Sequence, residues 1–257
     1  MPSLLLDPER HPLRTADTAL ALGATAVLAP HPDDESLGCG GLLALLADAG
    51  APTRVVVVTD GCGSHPNSAA YPAERLRTLR EAEARAAVDA LGLDEAAVTF
   101  LRHADCGLPD EGTEAFDAAA RELAEALAGA ETVVVPWRRD PHCDHVGTWA
   151  LACAAAARMD EPPRWIEYPV WAWPNADTDV APQDGEARAW RLDIAPVLDR
   201  KRAAVAAHRS QTTDLIDDDP DGFTLAPDML AHFERPWELF LEPRRPWRRP
   251  SPPQQRA

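Results

Sequence analysis

Five short apolar runs punctuate the chain at Ala24–Ala29, Arg54–Thr59, Val98–Leu101, Thr132–Pro136 and Arg164–Val170. Each is too short for a buried helix and is bounded by polar or turn-forming residues, so each is predicted to be a buried strand. Between and after them apolar positions recur at helical spacing, over Gly40–Ala49, Ala73–Leu91, Glu114–Ala128 and Trp149–Arg158. The first three helices end against Gly50, Gly92 and Gly129, where a left-handed C-terminal cap favours a residue without Cβ. Strands that alternate with helices predict βαβ units and a parallel sheet with right-handed crossovers. Beyond Val170 the pattern blurs into a Trp- and Pro-rich loop (Trp171–Gln183), a helix over Pro196–His208 and a short one over Pro227–Phe233. Residues 1–242 read as a single α/β domain, and 243–257, rich in Pro and Arg, as a disordered tail.

In open parallel sheets ligands bind beyond the carboxyl ends of the strands. Polar clusters stand directly after four of the five runs: His31–Glu35, Asp60–His65, His103–Asp105 and Asp140–His145. They are far apart along the chain, yet this topology brings them to one end of the sheet.

Composition narrows the chemistry. A formal charge of −17 over 257 residues argues against a nucleic-acid partner, which requires a basic face. It argues equally against docking on anionic lipid. No run reaches the roughly 18–20 apolar residues of a membrane span. Asp7, Glu9, Arg10 and Arg14 near the start are unlike a signal peptide. Five cysteines without C-x-x-C spacing suit a reduced, cytoplasmic protein. A small neutral or cationic substrate fits this field, and the oligomeric state is not readable.

His31-Pro32-Asp33-Asp34-Glu35 follows the first strand. Residues three apart on a turn point the same way, so His31 and Asp34 can share one metal while Asp33 projects elsewhere, free to act on water. An acidic helix start is the plainer reading of the same residues. His142-Cys143-Asp144-His145 follows the fourth strand, and its two histidines are harder to dismiss because the chain has only eight. Asp144 between them reads as a helix cap or as a support behind the ligands. Two His and one carboxylate suit zinc hydrolysis; the same set serves non-haem Fe(II) oxygenases, but those are usually built on all-β scaffolds, unlike this alternating pattern. A non-catalytic Rossmann-like binding module is disfavoured, since no G-x-G-x-x-G follows the first strand.

Taken together, the HPDDE and H-x-D-H motifs resemble the LmbE-like (PIG-L) N-deacetylases, in order and spacing over roughly residues 24–240. The resemblance implies a Rossmann-like, mostly parallel sheet flanked by helices. It also implies a metal-dependent hydrolase that removes an acetyl group from the amide nitrogen of an N-acetylglucosamine-type small molecule. Zinc, or ferrous iron, would be held by His31, Asp34 and His145. Asp33 would be the general base and His142 would stabilise the tetrahedral intermediate. Arg80 matches the family's R-x-x-E helix and Asp105 a recurrent Asp near the sugar pocket, which makes both substrate-binding expectations. For Arg80 the plainer alternative is a surface ion pair with Glu83. Lys201 and His208-Arg209-Ser210-Gln211 match a K…H-x-[ST]-Q element. Cys143 stands where the family usually has Pro; a small residue filling a tight turn is the plainer reading, beside ligation or oxidation of a thiol near the metal. The run Asp217–Gly222 imitates part of a calcium loop, but it lacks an entering helix and a final Glu, so it reads as a solvated acidic loop.

Overall fold

The computed structural model of the chain describes residues 2–159 and 161–244. Eight strands are present among them: β1 (Leu13–Arg14), β2 (Thr25–Ala29), β3 (Thr53–Thr59), β4 (Val98–His103), β5 (Thr132–Pro136), β6 (Arg164–Tyr168), β7 (Ala187–Asp193) and β8 (Trp237–Pro243). They form one sheet in the order β1-β7-β8-β6-β5-β2-β3-β4. Every pairing is parallel except the two made by β8, with β6 and with β7.

The helices are α1 (Ala16–Leu20), α2 (Asp34–Asp48), α3 (Ala73–Ala90), α4 (Glu114–Ala126), α5 (Cys143–Ala156), α6 (Leu198–Ala207), α7 (Arg209–Thr212) and α8 (Pro227–Ala231). On β2, Val27 and Ala29 join a core with Leu42, Leu46 and Val88 of α2 and α3, while Ala26 and Leu28 join a second core with Phe116, Leu123 and Leu151 of α4 and α5. The central strands are therefore covered on both faces, which is why they read as unbroken apolar runs.

All five predicted strands are present, β5 with the expected bounds and the other four with shifted ends, and the mostly parallel α/β architecture is as expected. Gly50 and Gly92 take positive φ, 61° and 87°, just beyond α2 and α3, as the caps require. β7 and β8 escaped the sequence because Arg188, Arg191 and Glu238 interrupt their apolar positions; β1 is only two residues long. Two helices begin earlier than their apolar stripes suggest. The acidic half of HPDDE is the first turn of α2, and His145 lies in the first turn of α5. β8 runs through Pro243, and the rest of the expected tail, 245–257, lies outside the described residues.

Candidate metal centre

β2 pairs with β3 on one side and β5 on the other, so the chain leaves β2 at the point where strand order reverses. A crevice opens there at the carboxyl end of the sheet. His31 enters it from the turn after β2, and His142 and His145 from the start of α5 after β5. The three rings converge, with centroids 4.6 Å apart for His31 and His142 and 5.5 Å for each of the other two pairs.

Asp34 stands between two of them. Its Oδ2 lies 3.2 Å from His31 Nδ1 and 3.2 Å from His145 Nε2. The outer ring nitrogens face carboxylates, His31 Nε2 at 3.0 Å from Asp144 Oδ2 and His145 Nδ1 at 2.7 Å from Asp140 Oδ2. Neither nitrogen of the fully buried His145 has a well-directed hydrogen bond. Burial disfavours a charged His145 ring, but Asp34 and Asp140 hold its pKa up at about 9. Burial likewise opposes ionisation of Asp34, yet His145 and His31 hold it well below the usual carboxylate range.

Asp33 lines the same cavity on a strained backbone, at φ 155°. The Glu35 carboxylate holds it there by accepting its N–H at 3.0 Å. Burial pushes the Asp33 carboxyl up to about 6, against the pull of Arg80. Arg80 is buried and donates to Gly61 O, Pro32 O and Asp33 Oδ2. The alternative surface pair with Glu83 does not form, because Glu83 instead accepts from the backbone and hydroxyl of Ser210. Asp105 accepts from Gly63 N at 2.9 Å, and its other oxygen is 3.7 Å from His31 Nε2.

His142 caps α5, its Nδ1 accepting the Asp144 N–H at 3.2 Å. Burial and the neighbouring rings His31 and His145 lower its pKa. The neutral tautomer therefore carries its proton on Nε2, as a donor. The cavity, about 430 Å³, is closed on its apolar side by Leu37, Val170, Trp171, Phe223 and Leu225. Trp171 stacks on His142 at 6.2 Å and meets Phe223 at 5.7 Å. A larger open depression, about 730 Å³, lies between Glu131, Arg158 and Pro163. Among the described residues no candidate metal-binding group faces it, so size does not choose the site.

Several residues that build the site had little signal in sequence. Asp140 was visible only as the start of a polar cluster. It anchors the loop after β6 by accepting from the N–H groups of Val170, Trp171 and Ala172. His208 and Ser36 both bond Glu35, and Lys201 bonds Glu238, which itself accepts the Gly41 and Leu42 N–H groups. The K…H-x-[ST]-Q element thus buttresses α2 from behind. Asp218 and Asp219 of the acidic run accept from Ser68, Ala70 and Asn67, which makes the run a clasp on the loop over 65–71.

The sequence and the fold have counterparts among known proteins. Residues 26–156 match the family described as PIG-L, GlcNAc-PI de-N-acetylase. The chain belongs to the PIG-L family. It is 28% identical over 229 residues to a 2'-N-acetylparomamine deacetylase of Streptomyces fradiae, covering 79% of this chain and 78% of that protein. It is 29% identical over 249 residues to a 1D-myo-inositol 2-acetamido-2-deoxy-alpha-D-glucopyranoside deacetylase of Nocardia farcinica, with 75% and 82% covered. Among solved structures it resembles the conserved protein TT1542 of Thermus thermophilus, with TM-score 0.61, 27% identity and 91% and 99% covered.

Proposed function

We propose that this PIG-L protein is a zinc-dependent N-deacetylase acting on a small N-acetylglucosaminide, with zinc held by His31, Asp34 and His145. One observation carries the reading, the placing of Asp34 Oδ2 at 3.2 Å from a ring nitrogen of each histidine. Donors about 2.0–2.1 Å from one tetrahedral centre stand about 3.3 Å apart, the spacing that Asp34 Oδ2 keeps from each of these two histidines. Carboxylates behind both histidines, from Asp144 and Asp140, are the outer partners that fix the rings of zinc ligands. Ferrous iron fits the same donors, but the named deacetylases among the relatives favour hydrolysis over oxygenation.

Bound there, zinc supplies Lewis-acid polarisation of the acetyl carbonyl and lowers the pKa of water. Asp33 takes the proton of the attacking water and returns it to the departing amine, a task suited to a carboxyl whose burial brings its pKa to about 6. Arg80 holds the Asp33 carboxylate from one side at 3.1 Å. His142 donates from Nε2 to the oxygen that gains charge as the carbonyl becomes tetrahedral. Asp105 and Arg80 border the sugar, and Trp171 and Phe223 give its ring an apolar wall.

The deciding experiment is hydrolysis of N-acetylglucosaminides by the zinc-loaded protein, read as free amine. Release of amine that stops on chelation and returns with zinc supports the proposal. A zinc-loaded protein that releases none from any N-acetylated sugar would overturn it.

A further inference from the structure

Two of the five cysteines face each other at the rim of the cavity. Cys106, in the loop after β4, and Cys143, the first residue of α5, are both exposed, and their sulfurs are 2.7 Å apart although 37 positions separate them. This is far inside the distance at which non-bonded sulfurs rest. The approach is built into the backbone. Cys106 is held in the left-handed region at φ 53°, unusual for a residue with a Cβ. Its N–H is given at 2.8 Å to Asp144, the neighbour of Cys143. Both thiols are thus aimed at one point by fixed backbone on either side of the mouth.

We propose that Cys106 and Cys143 are an oxidation site, forming a reversible disulfide that clamps the loop bearing Asp105 to the helix start bearing His142. The other thiols do not compete: Cys39 and Cys153 are buried, and half-buried Cys62 has its sulfur on Ala73 O at 3.2 Å. A peroxide is a sufficient oxidant. One sulfur attacks the O–O bond, giving a sulfenic acid and one water; the second sulfur then displaces the hydroxyl as another water and closes the S–S bond. Two thiols lose two electrons and two protons, which reduce the peroxide to two waters, and a dithiol reverses the bond by exchange.

His142 and Asp144 lie close enough to join the two sulfurs around a soft metal ion. Thiolates sharing one zinc at about 2.3 Å each would stand about 3.8 Å apart. The observed 2.7 Å needs about 1 Å of separation for that, against about 0.7 Å of approach for a bond of about 2.0 Å. The disulfide is the smaller step, and it stands independently of the zinc reading above.

The test treats the zinc-loaded protein with hydrogen peroxide and counts thiols after denaturation. Two of five should vanish, tryptic peptides 103–121 and 140–158 should join, and a dithiol should reverse both. The melting temperature should rise by roughly 5–10 °C on oxidation, because a long loop is closed in the unfolded chain. Cys106→Ser and Cys143→Ser should each abolish the link and the shift. Five surviving thiols, or joined peptides that persist in Cys143→Ser, would overturn the proposal. So would protection of both thiols by a second equivalent of zinc in place of cross-linking.

Discussion

The Asp140 carboxylate stands 2.7 Å from Nδ1 of His145, with both side chains wholly enclosed. One oxygen orients the ring and also accepts from Val170 and Trp171, while the other accepts from Ala172. Asp140 therefore links the proposed zinc ligand to the loop that carries the aromatic wall. Asp140→Asn keeps the shape but removes the charge behind the imidazole. Zinc affinity should fall by roughly 10- to 100-fold, measured by competition with a chelator. Unchanged affinity would mean that His145 is held by packing alone.

In the proposed mechanism Asp33 and His142 act in the chemistry without binding the metal. Asp33→Asn should retain zinc and lose at least roughly 10²-fold in kcat. His142→Ala should lose roughly 10²–10³-fold in kcat with little change in KM, because its hydrogen bond matters only as charge develops. Steady-state kinetics with metal analysis on the same samples checks both. Near-normal turnover in zinc-loaded Asp33→Asn would assign the base elsewhere.

Phe223 sits on the lip of the cavity, 41% exposed, with its ring against Trp171. Phe223→Ala should raise KM for a glucosaminide by roughly 3- to 10-fold with kcat little changed, the loss of one stacking surface. An equal KM would place the sugar away from this wall.

Glu167 lies on β6 with no exposed surface, accepting from Trp149 Nε1 at 2.9 Å, and Arg138 stands 3.6 Å away. Burial pushes its carboxyl up from 4.5 to about 7, only partly opposed by Arg138. The folded protein thus binds this proton more tightly than the unfolded chain. Its contribution to unfolding free energy falls as pH rises from about 4.5 to about 7 and levels off above. Glu167→Gln should be flatter than the parent across that window in urea unfolding at pH 5, 6, 7 and 8. Parallel curves would show that the parent's pH dependence arises elsewhere.

The fold was legible where strands are covered on both faces. Burial on both sides demands unbroken apolar runs, so β2, β3 and β5 announced themselves, and their order placed HPDDE and H-x-D-H at one end. Spacing also brought His31 and Asp34 to one side of a turn, because the backbone geometry between them is local. Tertiary structure decided the rest. In β7 and β8 the apolar positions are broken by Arg188, Arg191 and Glu238, the last of them buried, so neither strand reads as an unbroken apolar run. Arg80 and Glu83 share a helix face, which suggests a pair, yet Pro32, Gly61 and Asp33 claim the first and Ser210 the second. Asp140 behind His145, Glu35 beneath Asp33, and Cys106 opposite Cys143 depend on where distant segments are set down. Local propensity governs turns and helix ends, whereas buried polar groups take their partners from whatever the packed fold brings within hydrogen-bonding distance.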